Sequence, residues 1–172
     1  LEALGVTIGD EVIVPPLTFS ATAFSVIQAN ATPVFADINL ETFQICEKDI
    51  EKKITNKTKA IIVVSVFGMA SNLDEIIKIK KKYNLRLIED NAECMLGTYD
   101  GKLVGTFGDC ASFSFQSSKH ITSGEGGMVI TNDDNLADKL RSIQSMAKPA
   151  VNPNKTPITK DDVQNPEFYR NY

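Results

Sequence analysis

Residues 59–89, KAIIVVSVFGMASNLDEIIKIKKKYNLRLIE, contain two apolar runs with an amphipathic segment between them. The first run, 59–67, is almost wholly apolar, which is typical of a strand covered on both faces. The segment 73–83 spaces its apolar side chains as a helix does and leaves its lysines for solvent. The run 85–89 predicts a second strand. A strand, a helix and a strand in this order predict two parallel strands joined by a helical crossover.

The same alternation continues on both sides of this unit. Further strands are predicted at 11–15, 33–38, 110–115 and 127–131, and further helices at 20–29, 47–54 and 133–146. An Asp-Gly pair within 98–102 predicts a hairpin, and Thr18 or Ser20 is the expected N-cap of the helix at 20–29. We therefore expect an α/β fold, a three-layer α/β/α sandwich around a mostly parallel sheet.

Composition and charge exclude several classes of protein. The chain has 172 residues, enough for one domain with a buried core, and its net charge of −4 offers nothing to nucleic acid or to an anionic membrane. The longest apolar run, 60–67, is interrupted by Ser65 and is far shorter than the roughly 20 residues of a membrane span. One histidine and three cysteines without CxxC spacing predict no metal site. We expect a cytoplasmic protein with reduced thiols.

Two charged side chains follow neighbouring strands of the predicted sheet. Asp90 closes the strand at 85–89, and Lys119 follows the strand at 110–115. Because ligands bind at the carboxyl ends of such strands, both side chains are expected in one crevice. They could form a structural ion pair. They could also be the two fixed points of a pyridoxal phosphate (PLP) site, which needs an anion at the pyridine nitrogen and a lysine amine at the aldehyde, with Ser114 or Ser117 near the phosphate.

Seven short motifs occur in order along the chain. They are GDEVIVP at 9–15, TFSAT at 18–22, ATPVF at 31–35, EDNA at 89–92, GTFGD at 105–109, SFSFQSSK at 112–119 and GEGG at 124–127. With these motifs the chain resembles the DegT-type aminotransferases over about residues 1–146. These are PLP-dependent enzymes with the aspartate aminotransferase fold (fold type I), and most of them aminate keto-sugars.

The resemblance implies a role for five residues. Lys119 matches the Schiff-base lysine, which also moves protons, and Asp90 matches the carboxylate at the pyridine nitrogen. Ser114 matches a phosphate contact, and Phe19 matches the aromatic residue that stacks on the cofactor ring. Glu93 occupies a position that is usually Gln or His and that touches the phenolic oxygen of the cofactor. A carboxylate there departs from the pattern, because it would repel a phenolate unless one of the two is protonated.

The resemblance also implies a reaction. It predicts transfer of an amino group from glutamate or glutamine to a keto-sugar, most often nucleotide-linked. Lys119 favours transamination, since a related branch of sugar dehydratases has histidine in its place. The neighbouring His120 is expected to pack or to hydrogen-bond behind the lysine. Gln116 leaves a second substrate class open, because branches that use cyclitol ketones often carry Gln there. A non-catalytic PLP-binding regulatory protein is a third possibility.

The same resemblance predicts how the chain is organised. Residues 1–147 are expected to form the PLP-binding large domain, with its N-terminal part missing, in a fragment of a longer protein. Residues 148–172, which contain four prolines, are expected to be a linker toward a missing C-terminal small domain. Family members are usually homodimers, so a homodimer is expected here.

Overall fold

The structure is a computed structural model, and it describes residues 1–144. The chain divides into two units, Leu1–Asn132 and Asp133–Tyr172, of which the second is described only over 133–144. The predicted linker at 148–172 and the last two residues of the helix predicted at 133–146 lie outside the described residues. The first unit contains every candidate site residue.

A six-stranded sheet forms the centre of the first unit, with strand order β2-β1-β3-β4-β7-β8. Its strands are β1 Glu11–Val14, β2 Thr32–Phe35, β3 Thr58–Val64, β4 Arg86–Asp90, β7 Cys110–Ser114 and β8 Gly127–Ile130, and a separate pair is β5 Thr98–Tyr99 with β6 Lys102–Leu103. All neighbours in the large sheet are parallel except β7 and β8, which are antiparallel. The prediction of a mostly parallel sheet is confirmed.

Four α-helices and two single 3-10 turns complete the described chain. The helices are α1 Ala21–Gln28, α2 Glu47–Lys53, α3 Leu73–Tyr83 and α4 Asp134–Gln144, and the 3-10 turns are Glu2–Leu4 and Val66–Gly68. In the second unit, Oδ1 of Asp133 accepts the N–H groups of Asn135 and Leu136 at 2.9 and 3.1 Å. These bonds cap the N-terminus of α4.

The main core lies between the sheet and two of the helices. Ile61 and Leu87 from adjacent strands pack with Ile50 of α2 and with Leu73 and Ile76 of α3, and all five side chains are buried. Each such side chain contributes roughly 1.5–3 kcal/mol by leaving water. This burial explains the apolar spacing seen in 59–89.

The opposite face of the sheet carries α1. Successive side chains of a strand point to opposite faces, so Asp90 lies on the other face from Glu89 and Leu87. Thr22 of α1 donates a hydrogen bond to Asp90, which places α1 on the face of Asp90. Helices therefore cover both faces, as the sandwich prediction requires.

The structure corrects the end of the strand predicted at 59–67. β3 ends at Val64. The φ and ψ of Ser65, −81° and 63°, leave the extended range, and its hydroxyl donates to Oδ1 of Asn91 at 2.7 Å. Phe67 then adopts a φ of 57° within the 3-10 turn. The apolar run thus continues past the strand, and Phe67 lies beyond the carboxyl end of β3.

The predicted hairpin is confirmed, whereas the predicted side-chain cap of α1 is wrong. The hairpin at the Asp-Gly pair is confirmed: β5 and β6 pair antiparallel, and Asp100 and Gly101 have φ of 48° and 73°, as a two-residue hairpin loop of this type requires. Ser20 does precede α1, but its backbone is already helical and its side chain makes no capping hydrogen bond. The hydroxyl of Thr18 forms its hydrogen bond with the hydroxyl of Thr22, at 3.0 Å, and not with a backbone N–H of α1.

Candidate active site

The candidate site lies at the carboxyl ends of three adjacent parallel strands. Asp90 is the last residue of β4, and its register partners are Val64, which ends β3, and Ser112 of β7. The chain continues from β7 through a turn to Lys119, whose N–H donates to the carbonyl of Gln116 at 2.9 Å. Asp90 thus ends β4, and Lys119 lies five residues beyond the end of the neighbouring strand β7.

The carboxylate of Asp90 is held by three donors. Oδ2 accepts the hydroxyl of Thr22 at 3.1 Å, and Oδ1 accepts the N–H of Ala92 at 3.2 Å and the hydroxyl of Ser112 at 3.4 Å. The bond from Ala92 is at the upper end of the usual N–H···O range, the bond from Thr22 is slightly longer than the usual O–H···O range, and the bond from Ser112 is long and weak. Contacts to both oxygens fix the plane of this half-buried group.

Lys119 lines an open pocket of about 320 Å³ together with Phe67, Glu93, Ser118 and His120. This volume is at the lower end of the range of small-molecule sites. Lys119 is half-buried. Among the ion pairs between residues that the structure describes, none joins Lys119 to Asp90, so the structural ion-pair alternative is not observed.

Glu93 faces the same pocket but has a protein partner. Its Oε2 accepts the backbone N–H of Phe67 at 3.1 Å. Phe67 lies in the segment 65–68 that follows a predicted strand, but sequence reasoning gave it no role. The available signal was its place at the end of the apolar run, immediately before Gly68, where a large aromatic side chain stays 74% exposed.

Asp90, Ser114 and Phe19 lie outside the residues that line this pocket. Ser114 ends β7, and its hydroxyl oxygen accepts the N–H of Gln116 at 3.3 Å. Phe19 precedes α1 and is 77% exposed. The alternative phosphate contact, Ser117, accepts a hydrogen bond from the side-chain amide of Gln116 at 2.8 Å.

Glu89, next to Asp90 but on the opposite face, was also missed as a structural anchor. Its side chain is 1% exposed. Its carboxylate accepts the backbone N–H groups of Gly105, Phe107 and Gly108 at 2.6, 2.8 and 2.6 Å. An added Cβ at Gly108 would lie 2.7 Å from the carbonyl oxygen of Leu87, so the loop can approach the strand only with glycine there. The buried carboxylate of Glu89 therefore holds the loop formed by the GTFGD motif, residues 105–109, against the sheet.

Two thiols near these strands are buried. Burial raises the pKa of Cys94 and of Cys110, with a weaker opposing effect from hydrogen bonding at Cys94. Both therefore stay protonated and pack as small apolar groups. Within the described part of the chain, no cluster of three or more metal-ligating side chains occurs, and no helix has the length and apolarity to cross a bilayer.

The sequence is similar to those of characterised sugar aminotransferases. It is 51% identical over 139 residues to the GDP-perosamine synthase of Escherichia coli O157:H7, which covers 81% of this chain and 38% of that protein. It is 39% identical over 145 residues to the L-glutamine:2-deoxy-scyllo-inosose aminotransferase of Streptomyces fradiae, with 84% of this chain and 34% of that protein covered. The chain thus spans less than half the length of these relatives.

Solved structures give the same result. The aminotransferase from Psychrobacter cryohalolentis superposes with a TM-score of 0.88 at 39% identity and covers 93% of this chain and 41% of its own. The ntda protein of Bacillus subtilis, solved with bound cofactor PMP, gives a TM-score of 0.79 at 34% identity and covers 88% of this chain and 36% of its own. Residues 1–158 match the family model, and the chain belongs to the DegT/DnrJ/EryC1/StrS aminotransferase family.

Proposed function

We propose that this chain is the cofactor-binding part of a PLP-dependent aminotransferase that transfers an amino group from glutamate or glutamine to a nucleotide-linked keto-sugar. The observation that carries the proposal is that Asp90 ends β4 while Lys119 follows the neighbouring strand β7 by five residues and lines a pocket. The carboxylate is held in one orientation, and the amine lines an open pocket without an ion-pair partner on Asp90. Family membership and the PMP-bound structural neighbour support the choice of cofactor.

The donor set fits PLP. When bound, this cofactor supplies an electron sink for the negative charge that develops beside the transferred amino group. Asp90 would place its anion at the pyridine nitrogen, and Thr22 and Ala92 keep that carboxylate in position. The hydroxyl of Ser114 would contact the phosphate, and the exposed ring of Phe19 offers a flat apolar face to the cofactor ring.

Lys119 has two tasks in this proposal. Its Nζ would condense with the aldehyde carbon of the cofactor and release the aldehyde oxygen as water. Once the amino donor has displaced it from that carbon, the free amine would move a proton between carbon atoms of the substrate and the cofactor. Both tasks need an amine that can reach the reacting atoms. A half-buried lysine at the wall of a pocket, after a turn fixed by its own N–H, meets that need.

A cyclitol ketone is the alternative substrate. Gln116 favours it, because branches of the family that use cyclitol ketones often carry Gln at this place. Its Oε1 accepts the N–H and the hydroxyl of the pocket-lining Ser118 at 2.8 and 2.6 Å. The inosose aminotransferase relative supports this class, whereas the GDP-perosamine synthase relative, at higher identity, supports a nucleotide-linked sugar. A regulatory protein without turnover is disfavoured, since it has little need for both the acid and the amine.

One experiment separates these proposals. The PLP-loaded protein is mixed with glutamate or glutamine, and the cofactor absorbance is followed before a nucleotide-linked keto-sugar or a free inosose is added. An absorbance change with the donor, and its reversal by the nucleotide-linked ketone, supports the first proposal. Reversal by the inosose alone supports the cyclitol alternative. A spectrum that no amino donor changes would overturn the enzyme proposal and favour the regulatory one.

The resemblance also supports a homodimer that acts in the cytoplasm. We propose this assembly because family members usually combine residues of both subunits in each site. The measurement is the molar mass of the PLP-loaded protein in solution. A mass of one subunit at micromolar concentration contradicts it.

A further inference from the structure

Phe67 has a left-handed backbone conformation and an exposed aromatic side chain. Its φ of 57° lies in the left-handed region, which bulky side chains avoid because Cβ then crowds the backbone. Its ring is 74% exposed, so burial in the core does not compensate for that conformation. Strained residues of this kind persist only where surrounding contacts hold them, and they cluster at ligand sites.

The contacts that hold Phe67 come from several segments. Oε2 of Glu93 accepts its N–H at 3.1 Å, and the N–H of Gly68 donates to the carbonyl of Ser65 at 3.3 Å. The thiol of Cys94 donates to the carbonyl of Gly68 at 3.3 Å. The ring of Phe43 meets the ring of Phe67 edge-on, with centroids 6.4 Å apart. The backbone is thus fixed while one face of the ring stays accessible.

The pocket combines this aromatic residue with polar residues. Phe67 lines it together with Glu93, Ser118, Lys119 and His120. An apolar residue among a few hydrogen-bonding residues is the usual composition of a site for a small polar molecule with one apolar face. A sugar ring has this character, because its C–H bonds form an apolar face and its hydroxyls lie at the rim.

We propose that Phe67 is the residue against which the sugar ring of the amino acceptor packs, and that Glu93 is the positioning residue that holds Phe67 there. This inference rests on the proposed function and names the acceptor subsite within it. Glu93 acts through the backbone N–H of Phe67, so its effect on the acceptor follows from the hydrogen bond at 3.1 Å. The position of Glu93 departs from the Gln or His of the family pattern, and an amide oxygen could accept the same N–H.

The first test removes the ring. Full-length PLP-loaded Phe67→Gly and Phe67→Ala proteins are compared with wild type for KM and kcat with the keto-sugar; glycine tolerates a φ of 57° and protects the fold. We expect KM for the keto-sugar to rise about tenfold with a smaller fall in kcat, because the lost contact is made in the ground state and the transition state alike. Leu96→Ala is the matched control, since Leu96 is also left-handed and 70% exposed but lies outside the pocket-lining residues.

The second test addresses Glu93. Amide hydrogen exchange at Phe67 should be faster in Glu93→Ala than in wild type, and Glu93→Gln should restore both the slow exchange and the keto-sugar KM. This readout does not depend on turnover. Equal exchange in wild type and Glu93→Ala overturns the positioning role.

The failures can be told apart. If wild type does not respond to glutamate or glutamine, the proposed function fails and the acceptor subsite fails with it. If wild type aminates the keto-sugar and the Phe67 variants keep the wild-type KM, only the present inference is overturned. A change of oligomeric state in Phe67→Gly at unchanged KM also overturns it, because the ring would then be a subunit contact.

Discussion

The hydroxyl of Thr22 donates a hydrogen bond to Oδ2 of Asp90 at 3.1 Å, although the two residues are 68 positions apart in the chain. Thr22 is 4% exposed, and the hydroxyl of Thr18 lies 3.0 Å from its own. The bond connects α1 to the carboxyl end of β4. The orientation of the Asp90 carboxylate therefore depends on how α1 packs on the sheet.

Replacing Thr22 by valine tests this connection. Valine keeps the shape of the side chain and removes the donor, so Oδ2 of Asp90 loses its partner. We expect the free energy of unfolding to fall by about 1–2 kcal/mol and the donor half-reaction to slow about tenfold. Urea denaturation and stopped-flow absorbance measure the two effects. Thr22→Ser should retain most of both, and a Thr22→Val protein indistinguishable from wild type would contradict the role of this bond.

Replacing Asp90 by asparagine removes the negative charge but keeps an acceptor for Ala92. We expect the protein to retain PLP and the donor half-reaction to slow by about a hundredfold or more, since a neutral amide cannot stabilise a protonated ring nitrogen. The half-reaction is followed by the cofactor absorbance after glutamate is added. Asp100→Asn is the control, because Asn-Gly suits the exposed hairpin turn at that position. An unchanged rate in Asp90→Asn removes Asp90 from its proposed role.

Replacing Lys119 by alanine should abolish covalent attachment of the cofactor. Borohydride treatment of the PLP-loaded wild type is expected to fix the cofactor to the peptide that contains Lys119, as mass spectrometry would show. The melting temperature should stay close to that of wild type, because no ion pair between described residues involves Lys119. Lys102→Ala is the exposed control. Covalent trapping in Lys119→Ala would prove that another amine holds the cofactor.

The fold was predictable where local pattern and burial agree. The short apolar runs that became β3 and β4 have the length of strands, and α3 has helical spacing of its apolar residues, while the Asp-Gly hairpin has its own turn chemistry. The end of β3 was not predictable in this way. Val66 and Phe67 are as apolar as a strand, and the turn there depends on contacts with Asn91 and Glu93 from another strand end.

The candidate site was predictable to the same degree. Asp90 and Lys119 could be named as candidates because strand ends meet at one edge of a parallel sheet, and their contacts with a cofactor remain predictions. Thr22 and Phe67 could not, since their roles follow from hydrogen bonds to residues far along the chain. The contacts of Phe19 and Ser114 with a cofactor remain predictions.

Replacing Glu89 tests how strongly its carboxylate stabilises the loop at residues 105–109. Its buried carboxylate is the acceptor for three backbone N–H groups, all between 2.6 and 2.8 Å. Glu89→Ala should lower the free energy of unfolding by about 3–5 kcal/mol, because it leaves buried donors unpaired. Glu89→Gln should be intermediate, since it keeps one acceptor and sets an N–H₂ group against a donor. Urea denaturation measures both, and a loss below about 1 kcal/mol in Glu89→Ala would show that the loop finds other acceptors.

Asp109 gives the protein a predictable response to acid. Burial acts to raise its pKa, but the hydrogen bonds from Lys80 at 2.8 Å and from the N–H of Leu87 at 2.7 Å, with the nearby charge of Arg86, hold the pKa below its ordinary value. A carboxyl group with a lowered pKa binds fewer protons in the folded state than in the unfolded state. Its contribution to stability is therefore complete above the unfolded pKa of about 3.9 and is lost as the pH falls through the folded value.

Asp109→Asn should accordingly show a loss of stability that depends on pH. The difference from wild type in the free energy of unfolding is expected to be about 1–3 kcal/mol at pH 6 and to shrink steadily below pH 4, where wild type also loses the charge. Urea denaturation at several pH values between 6 and 3 measures it. Lys80→Met should show the same shrinkage, because it removes the partner that lowers the pKa. A difference that stays constant over this range would mean that Asp109 acts through the shape of its hydrogen bonds and not through its charge.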